Sequence, residues 1–367
     1  MRRIKVAASE GAAVYHCVTR AIQGRFLLDV HCKEVLRKQL RQAARFSGVE
    51  LLTYCLLDNH FHVLIRIPKA APLSDTELLS RYQALYPKPT QFQTAKVEVL
   101  ESILQAGGPE AEKLRARLLS RMGDVSEFMK TVKQRFSVWY NRTHERYGTL
   151  WSERFKSVLV ENTSKAVQTV AAYIDLNPVR AGLVQDPADY RWCGYAEAVG
   201  GIQEAREGLA GAVFAKDYGL SGWRQVGDRY RALLGFEAFT LRPAQAGKVR
   251  MDRATAAKMM ASGKAIPLPD ALRCRVRYFT DGAVLGGKEF IAQWFSQNRQ
   301  RLRPRASPAP KPLKGKSGRA SPPTGDCSAT FTGSQRWING WLSRLNCRSW
   351  LQTVSGKLKI WCNPRGS

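Results

Sequence analysis

The run from Val49 to Ile67, VELLTYCLLDNHFHVLIRI, constrains the fold more than any other stretch of this chain. Two β-rich segments flank Asp58-Asn59, residue types suited to a tight turn. The run therefore predicts an antiparallel hairpin with strands at Val49–Leu57 and His60–Ile67. Alternate residues of a strand share a face. Phe61, Val63, Ile65 and Ile67 then form an apolar face, and His60, His62, Leu64 and Arg66 form the opposite one. The expectation is a core behind Phe61 and two imidazoles in front. Two same-face imidazoles suit a divalent metal, each offering a neutral nitrogen. A pair of partly exposed strand histidines without a ligand is the alternative. Two ligands are also too few, and His16, His31 and His144 have no spacing that nominates a third.

The remaining pattern is mixed. Ala13–Arg20 reads as a short strand, Lys33–Phe46 as a basic amphipathic helix, and Phe155–Val160 as a further strand. Pro68–Gly123 reads as an insertion, with helical stretches at Ser74–Tyr86 and Ala95–Arg121 broken by Pro87, Pro89 and Gly107-Gly108. Asp124–Asn141 predicts a strong helix with Phe128, Met129, Val132, Phe136 and Trp139 along one side, opened by the capping pair Asp124 and Glu127. Thr163–Leu176 predicts a helix stopped by Asn177-Pro178. Its core stripe is Val167, Val170, Ala171 and Ile174. Tyr173 and Asn177, four apart, share a face beside that stripe, so the phenol ring packs partly while its hydroxyl reaches outward.

Two imidazoles, an amide oxygen and a phenol make a recognisable chemical set. A cation held by the first three polarises a phosphoryl oxygen, and the phenol is a nucleophile for phosphorus. A tyrosine at a core edge followed by a helix-ending asparagine is the plainer reading of Tyr173 and Asn177.

Charge narrows the partner. Lys+Arg number 58 against 30 Asp+Glu, a net charge of +28. From Asn298 to Ser367 there are 14 Lys/Arg and one acid, Asp326, so the tail is strongly basic and the body moderately so. A chain this basic meets a polyanion, and nucleic acid is the default. Apolar runs fall short of a membrane span, and residues 1–10 lack a signal-peptide apolar core. The eight Cys have no CxxC pair, which fits reduced thiols and a cytoplasmic, nucleoid-associated location, with no membrane partner. Arg20, Lys130, Lys133, Arg135, Arg142, Arg154 and Lys156 are candidate DNA contacts, interleaved with aromatics between Phe136 and Phe155. Cations track phosphates and aromatic faces stack unpaired bases. Phe136 and Trp139 fit a core role instead, and Tyr140 and Tyr147 fit packing or DNA contact rather than nucleophilic chemistry.

The expected organisation is a main domain at 1–200 with a helical insertion near 70–123, a connecting region at 201–265, a small module at 266–298, a basic Pro/Ser/Gly linker at 299–325 and a tail at 326–367. The linker has no means of packing. The tail, with Trp337, Trp341, Trp350 and Trp361, has no assignable fold.

Several motifs in order resemble the single-tyrosine HUH transposases, and among them the bacterial REP-associated tyrosine transposases. They are Tyr15-His16; Leu57 to Leu64 (LDNHFHVL); Phe128-Met129-Lys130; Lys133 to Phe136; Gly148 to Trp151; Arg154 to Ser157; and Tyr173 to Val184 (YIDLNPVRAGLV). They span roughly residues 12–195, about half the chain. Cys274–Phe290 also resembles a C-terminal module of longer members. The resemblance implies an α+β, ferredoxin-like antiparallel sheet flanked by helices. It implies His60, His62 and Asn177 as ligands of Mg²⁺ or Mn²⁺, and Tyr173 as nucleophile. The implied activity is transposition of hairpin-bearing, REP-like elements: single-stranded DNA is cleaved through a 5′-phosphotyrosine that a 3′-hydroxyl later reverses. One nucleophile per subunit cannot hold two ends, which points to a homodimer. A non-catalytic DNA-binding regulator on the same fold is the competing expectation.

Overall fold

A computed structural model of the chain describes residues 11–88, 95–213, 218–235, 282–298 and 359–362. The basic linker at 299–325, Trp337, Trp341 and Trp350 lie outside them, as do most of 201–265 beyond Gly235 and the start of the expected module at 266–298. The chain divides into two compact units, one of residues 6–52 and 56–155, the other of 1–5, 53–55 and 156–367.

The first unit opens with β1 (Ala13–Arg20), followed by α1 (Val30–Ser47), β2 (Glu50–Leu56) and β3 (His60–Ile67). β3 lies between β2 and β1 and runs antiparallel to β1, from Ala13↔Ile67 to Arg20↔His60. The hairpin turn closes where the Leu57 N–H donates to the His60 carbonyl at 2.8 Å. α1 begins where Asp29 accepts the Cys32 N–H at 2.7 Å, a cap of the usual acidic kind. It ends on Gly48, whose φ of 66° is left-handed. A Cβ there would lie 2.2 Å from Arg81 Nη1, the mobile tip of a long side chain, so it is the left-handed backbone that calls for glycine.

The insertion is helical, as expected: α2 (Asp75–Leu85), α3 (Val97–Ala106) and α4 (Gly108–Leu119). Ser74 and Glu77 form a reciprocal capping box at its start. The break between α3 and α4 falls on Gly107 and Gly108, both at positive φ. α5 (Val125–Thr143) follows, capped by Asp124, which accepts from the N–H groups of Ser126 and Glu127. Phe128, Met129, Val132 and Phe136 are fully buried along it, against Trp151, whose ring centroid lies 5.7 Å from Phe136 and 5.6 Å from Phe61. This aromatic cluster is the core behind Phe61.

The second unit contains β4 (Lys156–Val160), α6 (Ser164–Asp175), the single turn α7 (Asn177–Arg180), α8 (Gly194–Val199), α9 (Gln203–Ala212) and α10 (Tyr218–Leu233). β5 (Gly282–Gly286), α11 (Lys288–Asn298) and β6 (Lys359–Cys362) complete it. β4 pairs parallel with β5, and β5 antiparallel with β6. The stripe of α6 is buried: Val167, Val170, Ala171 and Ile174 are at most 1% exposed.

The protein is thus α+β, with strands flanked by helices; β1–β3 and β5–β6 are antiparallel as expected, and the β4–β5 pair is parallel. The succession β1–α1–β2–β3–helix–β4, with β3 beside β1, follows the ferredoxin-like plan. No described helix is long and apolar enough to cross a membrane.

Candidate functional site

Strand pairing in the first unit gathers three histidines rather than two. His60 and His62 share a face of β3, with ring centroids 5.1 Å apart and planes at 70°. His16 on β1 stacks on His62 at 5.1 Å, and its Nε2 lies 2.9 Å from His62 Nδ1. The pairing Val18↔His62 and His16↔Leu64 makes His16 and His62 diagonal neighbours. That contact joins residues 46 apart in sequence, so no local spacing announces it; only the register of β1 on β3 does. The imidazole face also differs from the expected open front. His60 is half-buried, but His62 is 2% exposed and Leu64 fully buried, because this face is covered too.

Tyr173 and Asn177 belong to the second unit. Tyr173 is 4% exposed and Asn177 8%, so the tyrosine is more deeply set than a ring at the edge of the stripe. Arg180, which sequence reasoning passed over, joins the two. Its guanidinium carbon lies 4.0 Å from the Tyr173 ring centroid. Its Nη2 donates to the Tyr173 carbonyl at 2.5 Å and to Asn177 Oδ1 at 2.7 Å. Asn177 Nδ2 donates to the Ile174 carbonyl at 3.1 Å. The signal was available in the spacing, since Arg180 follows Asn177 by three and Tyr173 by seven, helical intervals that align side chains.

Behind this face, Asp175 is wholly buried. Oδ1 accepts from Thr53 Oγ1 at 2.8 Å and from the Tyr195 N–H at 3.3 Å, and Oδ2 accepts from the Tyr230 hydroxyl at 2.5 Å. Desolvation pushes its pKa up to about 7 even though all three donors pull it down. Arg231 continues the network, donating to both Asp186 oxygens and to the Tyr195 hydroxyl. These residues hold α6 to its surroundings.

The candidate DNA contacts fall into two kinds. Arg20, Lys130, Arg142 and Arg154 are exposed, and Lys156 is half-buried. Lys130 pairs with Glu127 at 3.1 Å, and Lys133 donates to the Glu153 carbonyl at 2.7 Å. Arg135 instead lies over the Tyr86 ring and donates to Gln42 Oε1 at 3.4 Å, and burial lowers its pKa. Tyr140 is buried and Tyr147 is 95% exposed.

Among the described residues, one trio of Cys, His and acidic side chains converges within 4.8 Å: Asp29, Cys32 and His144. It is a helix cap. Asp29 takes the Cys32 N–H, and burial, with Asp29 alongside, pushes the Cys32 thiol up to about 12.

Residues 11–78 match the family model described as "Transposase IS200 like". The match contains β1, β3 and all three clustered histidines, and stops short of Tyr173. A solved structure of a REP-associated tyrosine transposase bound to a REP hairpin aligns with this chain at TM-score 0.35 and 15% identity, over 55% of this chain and 85% of that one. No curated protein matches the chain.

Proposed function

We propose, on the premise that residues 11–78 are IS200-like transposase sequence, that the chain cuts and rejoins single-stranded DNA at hairpin-bearing sites. The observation that carries this reading is the pair His60 and His62. They lie inside the matched segment, on one strand face, with rings 5.1 Å apart. Their donor chemistry, two imidazoles, fits a divalent cation, and the resemblance adds Asn177 as the third donor. Bound Mg²⁺ or Mn²⁺ supplies Lewis-acid polarisation of a phosphoryl oxygen.

The remaining work falls to the chain. The Tyr173 phenol loses its proton to water and its oxygen bonds to phosphorus. The bond from phosphorus to the 3′ oxygen breaks, and that oxygen leaves as a 3′-hydroxyl after taking a proton. The 5′ phosphate stays on the tyrosine, and attack by a 3′-hydroxyl reverses the step with no outside energy source. Asn177 Oδ1 accepts from Arg180 and keeps its second lone pair for a cation. Exposed Arg20, Lys130, Arg142 and Arg154, with Lys133 and Lys156, supply phosphate attraction. Two copies would hold two ends.

The test is covalent capture. Full-length protein with Mn²⁺ and a 5′-flanked hairpin strand should become labelled, and Tyr173→Phe should lose labelling while DNA binding stays within about twofold. Labelling that persists in Tyr173→Phe moves the nucleophile elsewhere. A second reading, a DNA-binding regulator without cleavage, is favoured by the burial of Tyr173 under Arg180. It requires tight, salt-dependent binding, no label, and indifference to His60→Ala.

A further inference from the structure

Asn59 and His16 each hold one of the paired imidazoles by Nδ1. The Asn59 amide is oriented by the Gly24 carbonyl, which accepts from its Nδ2 at 3.1 Å. That leaves Oδ1 facing His60 Nδ1 at 2.6 Å. An amide oxygen only accepts, so Nδ1 of His60 carries the proton, and in the neutral ring Nε2 holds the lone pair.

The second imidazole stands the same way once one proton is placed. His62 Nδ1 and His16 Nε2 are 2.9 Å apart between rings that are 2% and 1% exposed. With the proton on His62 Nδ1, His62 repeats His60 and turns its lone pair to Nε2. With the proton on His16 Nε2, the Nδ1 lone pair of His62 is spent on that bond and its Nε2 bears hydrogen, so no cation can be met. His16 is not itself a third ligand of a closed trio. Among the described residues, the one group of Cys, His and acidic ligand atoms within 4.8 Å lies elsewhere, at Asp29, Cys32 and His144.

We infer that His16 and Asn59 are positioning residues that fix His62 and His60 as Nδ1–H tautomers, so that both meet a divalent cation through Nε2. The inference rests on the metal reading given under Proposed function. Ligand imidazoles are generally oriented through their other nitrogen, and loss of such a partner costs roughly 10–100-fold in metal affinity.

The experiment uses the full chain, metal-free, with ¹⁵N-labelled histidine, and then Mn²⁺ alone as probe. Long-range ¹H–¹⁵N correlation spectra should show both His60 and His62 protonated at Nδ1. Asn59→Leu should disturb the His60 tautomer and leave His62 unchanged; His16→Leu should do the converse. Each should weaken Mn²⁺ binding roughly 10–100-fold, and Asn59→Asp, which keeps an acceptor oxygen, should restore most of it. The Asn59 pair keeps the test open if His16→Leu fails to fold. A wild-type His62 protonated at Nε2 overturns the proposal. So does Mn²⁺ binding that depends on His60 and His62 yet ignores both leucine variants. If wild type binds Mn²⁺ no better than His62→Ala, the metal reading itself falls and takes this role with it; the tautomer spectra tell the two failures apart.

Discussion

The Tyr230 hydroxyl donates to Asp175 Oδ2 at 2.5 Å inside a site from which water is excluded. The carboxyl it touches has a pKa raised to about 7 by burial. A raised acid binds its proton more tightly folded than unfolded. Its contribution to stability is therefore complete below the ordinary aspartate range and is lost as pH rises from about 4 to about 7. Asp175→Asn has no charge to bury, and its amide can still accept from Thr53 and the Tyr195 N–H while donating to Tyr230. The variant should gain on wild type by on the order of 3 kcal/mol between pH 4 and pH 8. Urea midpoints of the two proteins across that range measure it; a constant difference refutes the assignment.

Arg231 and Asp186 form a second buried pair, bonded through both carboxylate oxygens, with the nearer contact at 2.6 Å. Arg231→Leu leaves Asp186 with the Ala188 N–H but no cation within a covered region, and deprives the Tyr195 hydroxyl of a donor. Loss of one partner of such a pair typically costs about 3–5 kcal/mol. Asp186→Asn with Arg231→Leu should recover part of it. Thermal unfolding of the single and double variants gives the coupling directly.

Arg142 and Arg154 should behave unlike Arg135. The first two are exposed, so Arg142→Gln and Arg154→Gln should leave stability within about 0.5 kcal/mol. Each should lower the salt slope of single-strand DNA binding by roughly one, whatever the sequence. Arg135 packs on Tyr86 and Gln42, so Arg135→Gln should destabilise the unit while barely changing the salt slope. Binding titrations at several salt concentrations, with melting curves alongside, separate the two behaviours.

Asp29 works as a cap, and its pKa is lowered chiefly by the Cys32 N–H it accepts. Asp29→Ala should cost about 1 kcal/mol. The stabilisation it removes is present above the ordinary aspartate pKa and fades as pH falls through the lowered folded value. Chelation by EDTA should shift the melting temperatures of wild type and Asp29→Ala equally, which zinc held by Asp29, Cys32 and His144 would not allow.

Much of the scaffold was written locally. The alternation around Phe61 located the core face, Asp124 and Gly107-Gly108 marked helix ends, and Asn177-Pro178 stopped α6. Local patterns report which residues share a face; they do not report what lies over it. That is why His62 is buried where an open face was expected, and why the Tyr173 ring is covered. Partners set by strand register are invisible for the same reason. His16 meets His62 only because β1 and β3 align as they do. Arg135 looked like its charged neighbours in sequence, and only the placement of Tyr86 and Gln42 separates it from them.

The Gly24 carbonyl that orients Asn59 belongs to a short turn in which Gln23 and Gly24 both adopt positive φ, 55° and 67°. Nothing in that turn is acidic, basic or nucleophilic. Yet moving one carbonyl there would release the amide to rotate and let a proton change sides on the neighbouring ring. On the reading that His60 and His62 hold a cation, drift in a chemically silent loop would retune its affinity without altering a single ligand.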